Sequence, residues 1–197
     1  PMSETAERMT RVDNAWLRMD SDVNLMMIVG VWLLEPSIGY EALCERIDDR
    51  LLKYPRFRQK VVGDALGANW VNDEDFDIEH HVVREKLTRR RGQTETMALQ
   101  QRCGELATTP LDKAHPLWQY HLVEHFDGGS AVIVRLHHCI GDGIALTSVV
   151  MSMTDGGDTP PELDADHDHD HGHDAADWLT RTLLQPLTGL AVKALDL

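Results

Sequence analysis

The fourteen residues SAVIVRLHHCIGDG, Ser130 to Gly143, decide how this chain is read. Ser130 to His138 is apolar and rich in β-branched residues, which suits a strand. Successive side chains on a strand point to opposite faces. Val132, Val134, Leu136 and His138 then share one face, and Ile133, Arg135 and His137 the other. The two adjacent histidines are therefore expected to do different work. Gly141-Asp142-Gly143 suits a tight turn from strand into helix. Asp142 stands where a carboxylate meets the free N–H groups of a helix start, so it is expected to hold geometry rather than move protons. Gly143 to Met153 is nearly apolar all round and reads as a buried helix.

Outward from this stretch, Leu117 to Phe126 precedes it across Asp127-Gly128-Gly129, the spacing of a hairpin. Asn24 to Glu35 is apolar on both faces and reads as a strand buried on both sides. Pro36 to Gly39 is a turn. Leu43, Cys44, Ile47 and Leu51 recur at helical spacing up to Tyr54, and Pro55 stops that helix. Trp70 to Asp73 and Phe76 to Val83 read as short strands. His80-His81 lies among Asp75, Asp77 and Glu79 with no Asp-Gly after it, and is expected at an ordinary surface or sheet edge. Arg89-Arg90-Arg91-Gly92 is a basic loop, and Gln93 to Ala107 a helix. Strands and helices alternate irregularly, so the class is α/β or α+β, a mixed sheet flanked by helices.

Composition bounds the function. The chain has 197 residues, 42% of them apolar, enough for one domain with a core. A net charge of -14 argues against nucleic acid as a partner, because phosphate binding needs clustered Lys and Arg. Of that charge, -9 sits between Thr154 and Asp177, which hold nine acidic residues and no basic one, and -5 elsewhere. Three domain-level segments follow: 1–153 as the main domain, 154–177 as an acidic His/Asp-rich linker expected to be disordered, and 178–197 as a helix leading toward a further C-terminal domain. The alternation DHDHDHGHD, Asp166 to Asp174, carries metal-competent donors. A flexible repeat lacks fixed geometry, so only adventitious metal binding is expected there. Cys44, Cys103 and Cys139 form no CxxC pair and read as reduced thiols of a cytoplasmic protein, Cys139 as a spectator. The start of the sequence carries no leader-like pattern. The longest apolar run, Leu25 to Leu34, has ten residues, against about 20 for a spanning helix. Any membrane contact is therefore expected to be peripheral.

Two motifs now meet. HHxxxDG, at His137, His138, Asp142 and Gly143, is the signature of the chloramphenicol acetyltransferase-like superfamily. PLDxxxPLW is matched by Pro110-Leu111-Asp112-Lys113-Ala114-His115-Pro116-Leu117-Trp118, some twenty residues before the histidine pair. Together they resemble the bacterial wax ester synthase/diacylglycerol acyltransferase family, N-terminal half. The resemblance covers about Met9 to Met153, and no departure from either motif is seen. It implies a chloramphenicol acetyltransferase-like fold and one half of a two-domain enzyme. It implies that His138 is the general base, with His137, Asp142 and Gly143 structural, and that Pro110, Leu111, Asp112, Pro116, Leu117 and Trp118 shape the substrate site. The implied reaction moves a long-chain acyl group from acyl-CoA to a fatty alcohol or diacylglycerol without an acyl-enzyme, and uses no metal or other cofactor. The implied partners are the C-terminal half of the same enzyme, acyl-CoA and the acceptor. The chemistry agrees: an alcohol is a poor nucleophile until a base takes its proton, and a neutral imidazole does this near neutral pH. The alternatives are a carrier-dependent condensation domain of the same superfamily, or a non-catalytic isolated half. The basic residues Arg84, Lys86 and Arg89 to Arg91 read as a solvated loop, with anionic lipid or CoA phosphates as the other reading.

Overall fold

A computed structural model describes residues 6–141, Met153, and the backbone of Ala191 and Val192. The expected helix from Gly143 to Met153 and the linker at 154–177 lie outside the described residues, except that Met153 is buried.

The hairpin is as expected. β6 (Trp118–Phe126) turns through Asp127 and Gly128 into β7 (Gly129–His137). Asp127 has φ 47° and Gly128 φ 82°, so both central residues are left-handed. Two such residues make the hairpin turn whose twist matches its strands. β2 (Met27–Glu35) pairs antiparallel with β7, Met27 opposite His137 and Leu34 opposite Ser130. Gly129 sits against that neighbour so closely that an added Cβ would lie 2.1 Å from the Leu34 carbonyl oxygen.

β5 (Val82–Arg84) runs parallel to β6, and β8 (Ala191–Val192) pairs with Leu34 and Glu35 of β2. The five-stranded order is β5-β6-β7-β2-β8, a mixed sheet. A second sheet, β1-β4-β3, joins Glu7–Arg8, Gly67–Asn72 and Gln59–Asp64.

Each face of the large sheet has its own core. Trp118, Tyr120 and Leu122 of β6 and Val132, Val134 and Leu136 of β7 pack with Leu43 and Ile47 of α2 (Tyr40–Arg50), Phe57, and Trp70 of the second sheet. On the other face Val123, Ala131 and Ile133 meet Leu99 and Leu106 of α4 (Glu95–Ala107), whose first N–H groups Thr94 caps. β2 touches both cores, with Ile28 and Trp32 on one side and Val29, Val31 and Leu33 on the other.

Several expectations are corrected. β2 starts at Met27, not Asn24, and is mostly half-buried, because its coverage depends on what packs beyond it. Phe76 to Val83 is not one strand. Asp77 caps the short helix α3 (Ile78–His81) by accepting from the Glu79 N–H, and β5 begins only at Val82. The helix expected over 178–197 is contradicted at Ala191–Val192, which pair as a strand with the edge of β2; the rest of that segment lies outside the described residues. A helix not read from sequence, α1 (Arg11–Met19), precedes β2. Thr10 caps it, its hydroxyl accepting from the Asp13 N–H. Among the described residues, no helix is long and apolar enough to cross a membrane.

Candidate active site

The histidine pair stands where β7 ends. Strand alternation holds through His137, but a 3-10 turn, His138–Ile140, then begins and sets the direction of His138. Two backbone bonds hold this corner. The His137 N–H donates to Leu117 O at 3.0 Å, and the His138 N–H to Met26 O at 2.9 Å. The pair is thereby tied to the Pro116-Leu117-Trp118 segment on one side and to the entry of β2 on the other.

The two rings differ in environment, as expected. His137 is buried. Its Nδ1 accepts the Cys139 N–H at 3.0 Å, which leaves the ring proton on Nε2. That Nε2 lies 3.6 Å from Asp20 Oδ1. Burial lowers the His137 pKa, with Asp20 pulling the other way. His138 is half-buried, and its ring stacks on Trp16 of α1, with centroids 4.8 Å apart and planes at 21°. Of the two, His138 is the ring that solvent-borne chemistry can reach. Cys139 is fully buried, and that burial pushes its thiol up to about 12, so it offers no thiolate.

Asp20 follows α1 and organises the corner. Its Oδ1 accepts the Met26 N–H at 3.1 Å, and its Oδ2 pairs with Lys113 Nζ at 2.9 Å. Burial alone would raise its carboxyl. The Lys113 hydrogen bond, the Met26 N–H and the charges of His137 and Lys113 outweigh that, and it stays below its ordinary value. Asp20, Lys113 and His137 line a cavity of about 10 Å³ together with Pro110, Leu111, Leu117, Leu25 and Met27. This is the scale of one water molecule. The cavity brings both motifs to one place.

The remaining motif residues have other surroundings. Asp112 is exposed, and its Oδ1 accepts the Ala114 N–H at 2.9 Å, shaping the turn. Pro116 is buried. Trp118 is fully buried, donating from Nε1 to Phe57 O at 2.9 Å and stacking on His81. Asp142 and Gly143 lie outside the described residues. His81 is not at an edge. It is fully buried between Phe76 and Trp118, and its Nδ1 meets Trp118 O at 2.8 Å. Burial holds its pKa down at about 4. Cys44 and Cys103 are half-buried.

Trp16, Asp20 and Lys113 escaped the sequence reading. One signal was available: Thr10 and Asp13 have capping-box spacing, which marks the start of the helix that carries Trp16. Nothing local marks Asp20, which lies in the polar run Asp20-Ser21-Asp22.

Residues 9–194 match the family model of the wax ester synthase/diacylglycerol acyltransferase catalytic domain. The chain belongs to that family. Similar members include a probable diacylglycerol O-acyltransferase, tgs3, of Mycobacterium tuberculosis. It is 34% identical over 148 residues, which make up 71% of this chain and 54% of that protein. The wax ester synthase/diacylglycerol acyltransferase 5 of Arabidopsis thaliana is 29% identical over 144 residues, 69% of this chain and 28% of that protein. This member of the family therefore spans about half, or less, of the length of such relatives. Its fold is similar to that of the wax ester synthase/diacylglycerol acyltransferase from Marinobacter aquaeolei VT8. The TM-score is 0.59 at 21% identity, covering 79% of this chain and 41% of that one. It also resembles the starter condensation domain of rhizomide synthetase RzmA, with a TM-score of 0.58 at 16% identity, covering 76% and 36%.

Proposed function

We propose that this chain is the N-terminal half of an acyl-CoA-dependent O-acyltransferase that makes wax esters or triacylglycerols. His138 is its general base. The observation that carries the reading is the unequal burial of the pair: His137 is buried with its Nδ1 taken by the Cys139 N–H, while His138 is half-buried with its ring stacked on Trp16.

A neutral His138 takes the proton of the acceptor hydroxyl as its oxygen attacks the thioester carbonyl. The tetrahedral intermediate collapses and expels CoA thiolate, which takes the proton back from the imidazolium. No acyl-enzyme forms, and the base is regenerated. The thioester is already activated, so the step asks only for proton transfer and positioning, with acyl-CoA as co-substrate and no metal cofactor. Base assistance of this kind is worth about 10²–10⁴-fold. The acyl donor is a long-chain acyl-CoA, and the acceptor a fatty alcohol or diacylglycerol. The starter condensation domain of rhizomide synthetase has been solved with C8-CoA, which supports acyl-CoA as a ligand this fold accommodates.

His137, Asp142 and Gly143 hold the loop. Pro110, Leu111, Asp112, Pro116, Leu117 and Trp118 shape the site from the neighbouring segment. A C-terminal half of the same enzyme completes the site across the domain boundary, and the isolated N-terminal half is expected to be inactive. Water-insoluble acceptors call for a cytoplasmic protein that works at the inner membrane or at lipid inclusions.

The test is CoA release from palmitoyl-CoA with hexadecanol, using the protein with its C-terminal half restored, beside His138→Ala. Acceptor-dependent release that collapses in the variant supports both the reaction and the base. Undiminished release in the variant overturns His138 as base. No release by either protein across alcohols and diacylglycerol overturns the acyl-CoA reading in favour of a carrier-dependent or non-catalytic one.

A further inference from the structure

We propose that His80, Asp112 and His115 form a binding site for a single first-row divalent transition cation, with Zn²⁺ as the probe. Its residues are distinct from His137, His138, Asp20 and Lys113, and of the residues proposed to shape the substrate site it includes Asp112 alone.

One ligand-competent atom from each of the three side chains lies within 4.8 Å of the other two. The imidazoles of His80 and His115 face each other, with ring centroids 4.0 Å apart. His80 comes from α3, while Asp112 and His115 come from the turn before β6. The group therefore joins two segments more than thirty residues apart in sequence.

His115 has the support that metal-bound histidines have. Its Nδ1 lies 3.4 Å from Asp73 Oδ2. The Asp73 side chain is only 1% exposed, and Lys60 Nζ pins its other oxygen at 2.8 Å. A buried carboxylate in that position accepts the Nδ1–H and so keeps the proton on Nδ1 and the lone pair on Nε2, as second-sphere carboxylates do for ligating histidines. Asp112 is half committed: Oδ1 holds the Ala114 N–H and Oδ2 remains for a cation. The backbone of His80 is fixed by its N–H to Asp77 O at 3.1 Å and by Gln119 Nε2 donating to its carbonyl at 3.0 Å. Its ring makes no hydrogen bond among the described residues.

A tetrahedral zinc puts its ligand atoms ~3.4 Å apart. The ligand atoms must close by up to about 1.4 Å, which half-buried imidazoles and an exposed carboxylate achieve by rotation. Two imidazoles and a carboxylate are a donor set suited to Zn²⁺, Ni²⁺ or Cu²⁺, with water in the fourth position. His81 takes no part, because it is buried between Phe76 and Trp118. A cation held here would clamp α3 to the turn of the PLDxxxPLW segment.

The alternating His/Asp tract is a second chelator, so the experiment starts from the full chain with His167, His169, His171 and His173 replaced by Ser. Zn²⁺ is titrated against a chromogenic chelator, and Co²⁺ absorption reports the coordination. One equivalent is expected to bind, with the intense visible bands of four-coordinate Co²⁺. His80→Asn, His115→Asn and Asp112→Asn should each weaken Zn²⁺ binding at least tenfold, since outer-sphere changes alone cost 10–100-fold. Zn²⁺ should raise the Tm of the parent but not of the variants. Asp112→Asn keeps the Ala114 bond through its amide oxygen, so loss of binding there is not loss of the turn. No uptake by the tract-replaced chain overturns the site. So does uptake that all three variants leave unchanged, which would be adventitious surface binding only.

Discussion

The imidazole of His138 lies stacked on the indole of Trp16, with ring centroids 4.8 Å apart and planes 21° from parallel. The two residues are more than a hundred positions apart in sequence. The contact docks α1 on the turn that follows β7 and covers one face of the imidazole. Because β7 stops at His137, strand pleating no longer orients His138, and Trp16 supplies the orienting surface instead.

Removing that surface should cost activity. A stacked aromatic pair is worth about 0.5–1.5 kcal/mol, so Trp16→Ala is expected to lower acceptor-dependent CoA release roughly twofold to tenfold in the protein with its C-terminal half. Trp16→Phe should retain most of it. An unchanged rate in Trp16→Ala would remove Trp16 from the site.

Asp20→Asn should destabilise the same corner by about 1–3 kcal/mol at neutral pH, because Lys113 and His137 lose their carboxylate. The folded carboxyl titrates below its ordinary 3.8. Its contribution is therefore complete above that pH and is lost as the pH falls further. Urea titrations of both proteins at pH 7 and pH 3 check this: the gap should be wider at pH 7.

His81 confers a second pH dependence. It is held neutral at about 4 in the folded state, against 6.5 when solvated. Between those values the unfolded chain binds a proton that the folded one does not. Stability is then full above pH 6.5 and falls as the pH drops toward 4, by roughly 3 kcal/mol in all. His81→Phe keeps a ring between Phe76 and Trp118 and should flatten this portion of the profile, read by denaturant unfolding between pH 7 and pH 4.

Glu85 acts at lower pH. Burial would raise its carboxyl, but the hydrogen bond from His121 Nδ1 at 2.8 Å and the two-pronged grip of Arg102, at 2.8 and 3.1 Å, bring it down to about 2. Its contribution is present above pH 4.5 and lost as the pH falls toward 2. Glu85→Gln should cost about 3 kcal/mol at pH 7, and the gap should close in acid. A gap independent of pH would show that the loss is one of packing rather than charge.

Gly129→Ala tests the closeness of β7 to β2. An added Cβ would meet the Leu34 carbonyl oxygen at 2.1 Å, so the strands must separate. A loss of at least 1–3 kcal/mol is expected, measured by thermal unfolding, with amide exchange rising along β2.

Some of this structure is written in short stretches of chain. Asp127-Gly128 can take two left-handed residues, so the β6–β7 hairpin and the place of the histidine pair at its end follow from local chemistry. The apolar repeat of Leu43 and Ile47 and the Thr94 cap likewise set α2 and α4. The resemblance of HHxxxDG and PLDxxxPLW to known motifs pointed to the family.

Packing decided the rest. Four residues are too few to show a helical period, so α3 was legible only through its Asp77 cap. His81 reads as surface beside its acidic neighbours, yet Trp118 and Phe76 enclose it. Whether β2 is covered on both faces depends on what lies against it. Trp16, Asp20 and Lys113 reach the histidine pair only when α1 and the PLDxxxPLW turn fold onto the end of β7. Backbone preference acts over a few neighbouring residues. Burial, ring stacking and the pairing of a carboxylate with a distant lysine exist only once the chain has closed on itself.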